Sequence, residues 1–142
     1  MQPIIGKQFP DIVIPKIESA KHSIKIVVFD WRWYPNEPGN PVQLFNQAIV
    51  RAVRRGVAVS AIVNNTEIVN TLKQIGCNAK KLVTKNLVHA KLMIIDEKII
   101  VIGSHNYTQS AFTMNYEISS LYDDTETAKN FLSFFNNLFD NY

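Results

Sequence analysis

The chain has 142 residues, 46% of them apolar, and a formal net charge of +3. That suffices for one core and not for two, so residues 1–142 are expected to form a single domain. The lone cysteine, Cys77, excludes a disulfide framework and a cysteine-rich zinc site, and no apolar run nears the ~20 residues of a spanning helix.

The segment Met1 to Pro10 has no basic start followed by a long apolar stretch. The expectation is therefore no signal peptide, a cytoplasmic location by default and no stable membrane association. Asp11 to Ala20 places Ile12, Val13 and Ile17 on one side, which predicts a short helix with Pro15 near its first turn. Ser23 to Phe29 reads as a strand, and Asp30 to Asn40 as a loop carrying Trp31, Arg32, Trp33 and Tyr34. Pro41 opens a helix through Val53, stopped by Gly56 after Arg54 and Arg55, whose charges suit a helix C-terminus. Val57 to Val63 is a strand, and Thr66 to Ile75 is a helix ended by Gly76, with Asn65 as its cap.

Ala79 to Val83 is expected as a short strand, Leu87 to Ile95 as a longer one, and Lys98 to Ile102 as another after a tight turn at Asp96–Glu97. Tyr116 to Tyr122 is the last strand, and Thr125 to Phe139 is a terminal helix with Ala128, Phe131, Leu132, Phe135 and Leu138 at helical spacing. Strands alternate with helices first and then cluster. The fold class expected is α/β, a mixed sheet flanked by helices on both faces.

Charge is uneven along the chain. Lys73, Lys80, Lys81, Lys85, Lys91 and Lys98 face only Asp96 and Glu97 over residues 73–98, whereas residues 99–142 are acidic. A basic stretch attracts phosphates, although an ordinary solvated lysine surface is the stronger reading of charge alone.

The chemistry concentrates in LVHAKLMIID, residues 87–96. On a strand, His89 and Lys91 share a face and lie about 6.6 Å apart along it. Lysine is a poor companion for a metal-binding histidine but a good phosphate ligand, so the pair points to acid–base or nucleophilic work on a phosphoryl group. Gly103 ends the next strand, where a missing side chain lets backbone N–H groups approach an anion. Ser104 and Asn106 add neutral donors there, and Glu117 is expected to point back to the same place. Asp96 is seven residues from His89, so it faces the other way and sits roughly 23 Å off along an uninterrupted strand. A structural role at the turn follows. Glu117 is then the better acceptor for the far ring nitrogen of His89. His22 and His105 read as ordinary structural histidines. Arg32 and Trp33, after a strand, are candidate substrate contacts, with core packing an equal alternative for the tryptophan.

His89-x-Lys91-x4-Asp96, then Gly103-Ser104-x-Asn106 and Glu117, resembles the HKD motif of the phospholipase D superfamily. A bare H-x-K-x4-D arises by chance in about one chain in a hundred of this length, and the downstream residues make coincidence remote. The strand–helix–strand pattern from Ser23 to Val63 is similar as well, so the resemblance spans most of the chain. It implies a two-step reaction without metal or cofactor, in which one histidine attacks phosphorus and a second protonates the leaving oxygen. It also implies two motifs per site, and this chain holds one. In-line displacement puts nucleophile and leaving group on opposite sides of phosphorus, so one His89 cannot serve both. A homodimer with a two-fold axis through the site would supply the second copy. Lys91 and Asn106 would then bind the phosphate, assisted by Ser104. The function expected is a nuclease acting on DNA or RNA. The alternatives are a lipid phosphodiesterase or phosphatidyltransferase, and an inactive nucleic-acid-binding module.

Overall fold

The computed structural model describes residues 1–142, in which seven strands form one sheet and five helices pack on it. The elements are β1 (Gln2–Ile5), α1 (Gln8–Ser19), β2 (Ser23–Val27), α2 (Pro41–Arg54), β3 (Ala58–Ile62), α3 (Thr66–Gln74), β4 (Asn78–Lys80), β5 (Leu92–Ile95), β6 (Ile99–Gly103), α4 (Gln109–Thr113), β7 (Ile118–Asp123) and α5 (Thr125–Asn141). The strand order is β1-β7-β6-β5-β2-β3-β4. β2, β3 and β4 run parallel, joined by helices. The other pairings are antiparallel, so the sheet is mixed as expected.

Period-two alternation decides the two faces. Ile24, Ile26, Met93, Ile95 and Val101 turn to a core closed by α1, α2, α3 and α4, with Phe9, Phe45 and Ile49 at its centre. Val27, Ile62, Leu92, Ile94 and Ile100 turn the other way, where α5 alone covers them through Ala128, Leu132 and Phe135. The caps follow local chemistry. Asn40, Asn65, Thr108 and Asp124 each accept a backbone N–H at a helix start.

Several expectations need correction. α1 starts at Gln8, so Pro15 lies inside the helix rather than in its first turn; it is tolerated because Pro15 and Asp11, whose carbonyl loses its bond, are both exposed. β1 and α4 were not expected. β1 carries only one buried residue, Ile4, and shows no alternation to read. α4 is a single short turn capped by Thr108.

The strand expected over Leu87–Ile95 is hydrogen-bonded only from Leu92. The Asn64 side chain explains the break. Its amide donates to Phe29 O at 3.1 Å and to Val88 O at 2.8 Å, wedging apart the chains that would otherwise pair. For the same reason β2 stops at Val27 and not at Phe29. The alternation outlasts the ladder: Val88 and Ala90 still pack on the α5 side with Leu92.

The register gathers one end of the sheet. Val27 pairs with Leu92, Leu92 with Ile102, and Gly103 with Ser119. The carboxyl ends of β2, β3 and β6 and the residues entering β5 and β7 therefore converge. Asp96 sits at the opposite end, beside Ser23.

Candidate active site

Four segments enter the site from that converging end. The approach to β5 brings His89 and Lys91, the exit of β6 brings Gly103 to Asn106, the entry of β7 brings Glu117, and the exit of β2 brings Phe29 and Asp30. His89 is exposed and Lys91 half-buried. The Lys91 ammonium lies 3.1 Å from His89 Nδ1 and 3.3 Å from Nε2. An ammonium has no acceptor, so a ring nitrogen of His89 accepts.

Phe29 lies against both, 4.9 Å from the imidazole centroid and 5.5 Å from Lys91 Nζ. Sequence reasoning assigned Phe29 only to a strand; its place at the strand exit was the available signal. Burial pushes the Lys91 ammonium below its ordinary value, opposed by the negative charge of Glu117. A half-buried cation this close to an exposed imidazole has the chemistry to attract an anion.

Asn106 is oriented. Its Oδ1 accepts the Asp30 N–H at 3.1 Å, which leaves both Nδ2 hydrogens free to donate. Asp30 is itself held in place. Its carbonyl accepts Tyr107 N–H, and the Arg32 N–H donates to Tyr107 O, so the two segments run together. Beneath them Trp31 Nε1 donates to Asn46 Oδ1 at 2.7 Å, and Asn46 Nδ2 returns to Arg32 O.

Glu117 lies at the site but does not hydrogen-bond His89, as had been expected. Ser104 Oγ donates to one carboxylate oxygen at 2.5 Å, and Asn115 Nδ2 to the other at 3.0 Å. Ser104 Oγ also accepts the Ile118 N–H. Its only proton is thus committed to Glu117, and its expected part as a phosphate donor is not available in this arrangement.

Gly103 also differs from expectation. Its N–H goes to Lys91 O and that of Ser104 to Ile118 O, so neither is left for an anion. The glycine is needed for space: a Cβ there would stand 2.4 Å from Ser119 Cα and 2.6 Å from Ile118 O. Arg32 is exposed and pairs with Asp30 at 3.0 Å, at the rim of the site. Trp33 is half-buried against the core with its indole N–H unpartnered, so the packing alternative describes it better than substrate contact.

His105 and Asp96 are tied into the fold. His105 is 1% exposed and stacks on Phe9. Its Nε2–H donates to Gly6 O at 2.9 Å, so Nδ1 accepts from Ser119 Oγ at 2.7 Å. Asp96 has positive φ in the turn and collects the backbone N–H groups of Lys21, His22 and Ser23. Burial raises its pKa, but the three N–H donors outweigh that and hold it below the ordinary carboxylate value. No three His, Cys, Asp or Glu side chains gather in a metal-binding group. No helix is long and apolar enough to cross a membrane.

A cavity of about 310 Å³ opens beside His89, lined mainly by apolar side chains that include Leu82, Leu87, Val88, Phe134 and Leu138.

Comparison with known proteins places the chain in a family. Residues 13–139 match the family model described as "Cardiolipin synthase, PLD-like domain". A phospholipase D of Rickettsia prowazekii is 27% identical over 126 residues, 84% of this chain and 57% of that protein. The mouse mitochondrial cardiolipin hydrolase is 26% identical over 130 residues, 87% of this chain and 55% of that protein. The chain thus spans little more than half the length of these curated relatives. Among solved structures, NucT from Helicobacter pylori superposes with a TM-score of 0.79 at 25% identity, covering 98% of this chain and 94% of that one.

Proposed function

We propose, on the premise that this chain belongs to the phospholipase D superfamily, that it cleaves phosphodiester bonds of DNA or RNA at a site completed by a second copy of itself. The superfamily is one of phosphodiester-bond hydrolases. The observation that carries the reading is the exposed His89 imidazole with the Lys91 ammonium 3.1 Å away at the convergent end of the sheet.

In the first step a ring nitrogen of His89 attacks phosphorus. The nitrogen–phosphorus bond forms as the bond to the leaving oxygen breaks, and the partner subunit's His89 gives that oxygen a proton. In the second step the same partner imidazole takes a proton from water, whose oxygen displaces His89 from phosphorus. Lys91 and the Asn106 Nδ2 donors hold the non-bridging oxygens and stabilise the five-coordinate transition state. Glu117, fixed by Ser104 and Asn115, opposes the effect of burial on Lys91 and helps keep it charged. No step requires a metal ion.

Cleavage of plasmid and of labelled oligonucleotides in excess EDTA tests this, with His89→Ala alongside. The expected result is metal-free cleavage by wild type, its loss in the variant, and a dimer by sedimentation. Cleavage abolished by chelation would sink the metal-free chemistry, and a fully active monomer would sink the shared site.

The apolar cavity beside His89 favours a second reading, a lipid phosphodiesterase or phosphatidyltransferase. Turnover of anionic phospholipid vesicles with no cleavage of oligonucleotides would select it. A nucleic-acid-binding module without activity is the third reading. Oligonucleotide binding with no turnover of any diester would select that one.

A further inference from the structure

Several lysines are engaged by partners within the fold. Lys80 Nζ donates to Phe139 O at 2.8 Å and lies over the Phe139 ring, which ties β4 to the end of α5. Lys25 reaches Asn136 on α5, Lys98 pairs with Asp123, and Lys129 pairs with Glu126. Lys81 and Lys85 differ. Both are exposed, and neither ammonium has a carboxylate partner. No acidic residue occurs between Glu67 and Asp96, so their own segment provides none.

These two lysines share a connection with the catalytic candidates. The chain leaves β4 at Lys80 and enters β5 at Leu92, with neither helix nor strand between. His89 and Lys91 lie on this connection. At a maximum of about 3.5 Å per residue, Lys85 is within about 14 Å of His89 along the chain, and Lys81 within about 28 Å. Val83 and Leu87 stand exposed among them, offering apolar surface to sugars and base faces.

We propose that residues 81–88 form a docking track for a nucleic-acid strand, in which Lys81 and Lys85 hold phosphates flanking the one at His89. The inference rests on the nuclease reading above and names what would make a polynucleotide a better substrate than an isolated diester. Two unpaired cations on the same connection as the candidate phosphoryl site match a chain that carries one charge per nucleotide. A lipid surface matches less well. The backbone N–H groups of Lys81, Val83 and Lys85 have no partner within the chain, and hydrocarbon would leave them unsatisfied. A strand lying in water does not.

The test is fluorescence anisotropy of a labelled single-stranded oligonucleotide of about a dozen nucleotides, bound to the full chain carrying His89→Ala so that nothing is cleaved. Adding Lys81→Gln and Lys85→Gln together should weaken binding about tenfold at low salt, and should flatten the slope of log K against log salt by about 1.4, close to 0.7 per phosphate contact. Lys16→Gln with Lys21→Gln removes equal charge from α1 and the far end of the sheet and should leave that slope unchanged. An unchanged slope in the first pair, or an equal change in both pairs, overturns the track. So does a result in which the Lys81/Lys85 pair governs sedimentation with phosphatidylglycerol vesicles but not oligonucleotide binding. If binding depends on the pair while the chain with His89 intact cleaves no oligonucleotide, the nuclease reading fails and the track stands.

Discussion

Gly103→Ala is the substitution whose consequence the structure specifies most closely. The added Cβ would meet Ser119 Oγ at 2.3 Å, Ser119 Cα at 2.4 Å and Ile118 O at 2.6 Å. The hydroxyl could rotate away, but the other two atoms belong to β7, which is paired on its other side to β1. The pairing of β6 and β7 must therefore open. Overpacking of this kind costs about 1–3 kcal/mol and occasionally more. At this chain length, with roughly 3 to 4 °C lost per kcal/mol, the midpoint should fall by about 3–12 °C. Thermal unfolding followed by far-UV circular dichroism measures it. The cause has its own control: Ser119→Gly in the Gly103→Ala background removes the hydroxyl but neither backbone atom, so it should not restore the midpoint. A midpoint within about 2 °C of wild type, or full rescue by Ser119→Gly, would refute backbone crowding as the reason for this glycine.

Three further outcomes follow from the site and its supports. Asp96→Ala frees three backbone N–H groups on residues 21–23 and should cost about 1–2 kcal/mol in thermal unfolding, while kcat on oligonucleotides at low temperature stays within about threefold, because the side chain sits at the far end of the sheet. Its folded pKa lies below the unfolded value, so its stabilisation is present above that value and is lost as pH falls through the folded pKa. His105 shows the same sign in a higher window. Burial lowers its folded pKa below 6.5, so stability falls as pH drops from there, and the difference in midpoint between pH 7.5 and pH 5 should shrink in His105→Gln. Asn106→Asp replaces the free Nδ2 donors with a carboxylate oxygen facing the phosphate. Oligonucleotide kcat/KM should fall about a hundredfold or more, and further than in Asn106→Ala.

Much of this molecule is legible in the sequence because the signals are local. Pro41, the Asn65 cap and the closing glycines Gly56 and Gly76 place α2 and α3. The alternation in Ile24 to Val27 and Leu92 to Ile95 gives both faces of the sheet. Strand parity alone separates Asp96 from His89, and the structure puts Asp96 at the far end, bonded to residues 21–23. What escapes the sequence depends on partners distant along the chain. Asn64 ends a strand by inserting its amide between Phe29 and Val88, which no local pattern announces. Ser104 and Glu117 both reach the site, but they bond each other, so the role of each is decided by a residue thirteen positions away. Glycine permits close approach, which at Gly103 suggests a backbone donor to an anion. It does permit it, and the group that approaches is β7 rather than an anion.

The central claim is that His89 carries the chemistry, and its exposure makes the test clean. His89→Ala should leave the thermal midpoint within about 2 °C of wild type, since an exposed side chain contributes little to packing. Single-turnover cleavage of a labelled oligonucleotide in EDTA should fall by about 10⁴-fold or more, as it does when a nucleophile acting as part of a unit is removed. Cleavage that survives in His89→Ala within about tenfold of wild type would contradict the account.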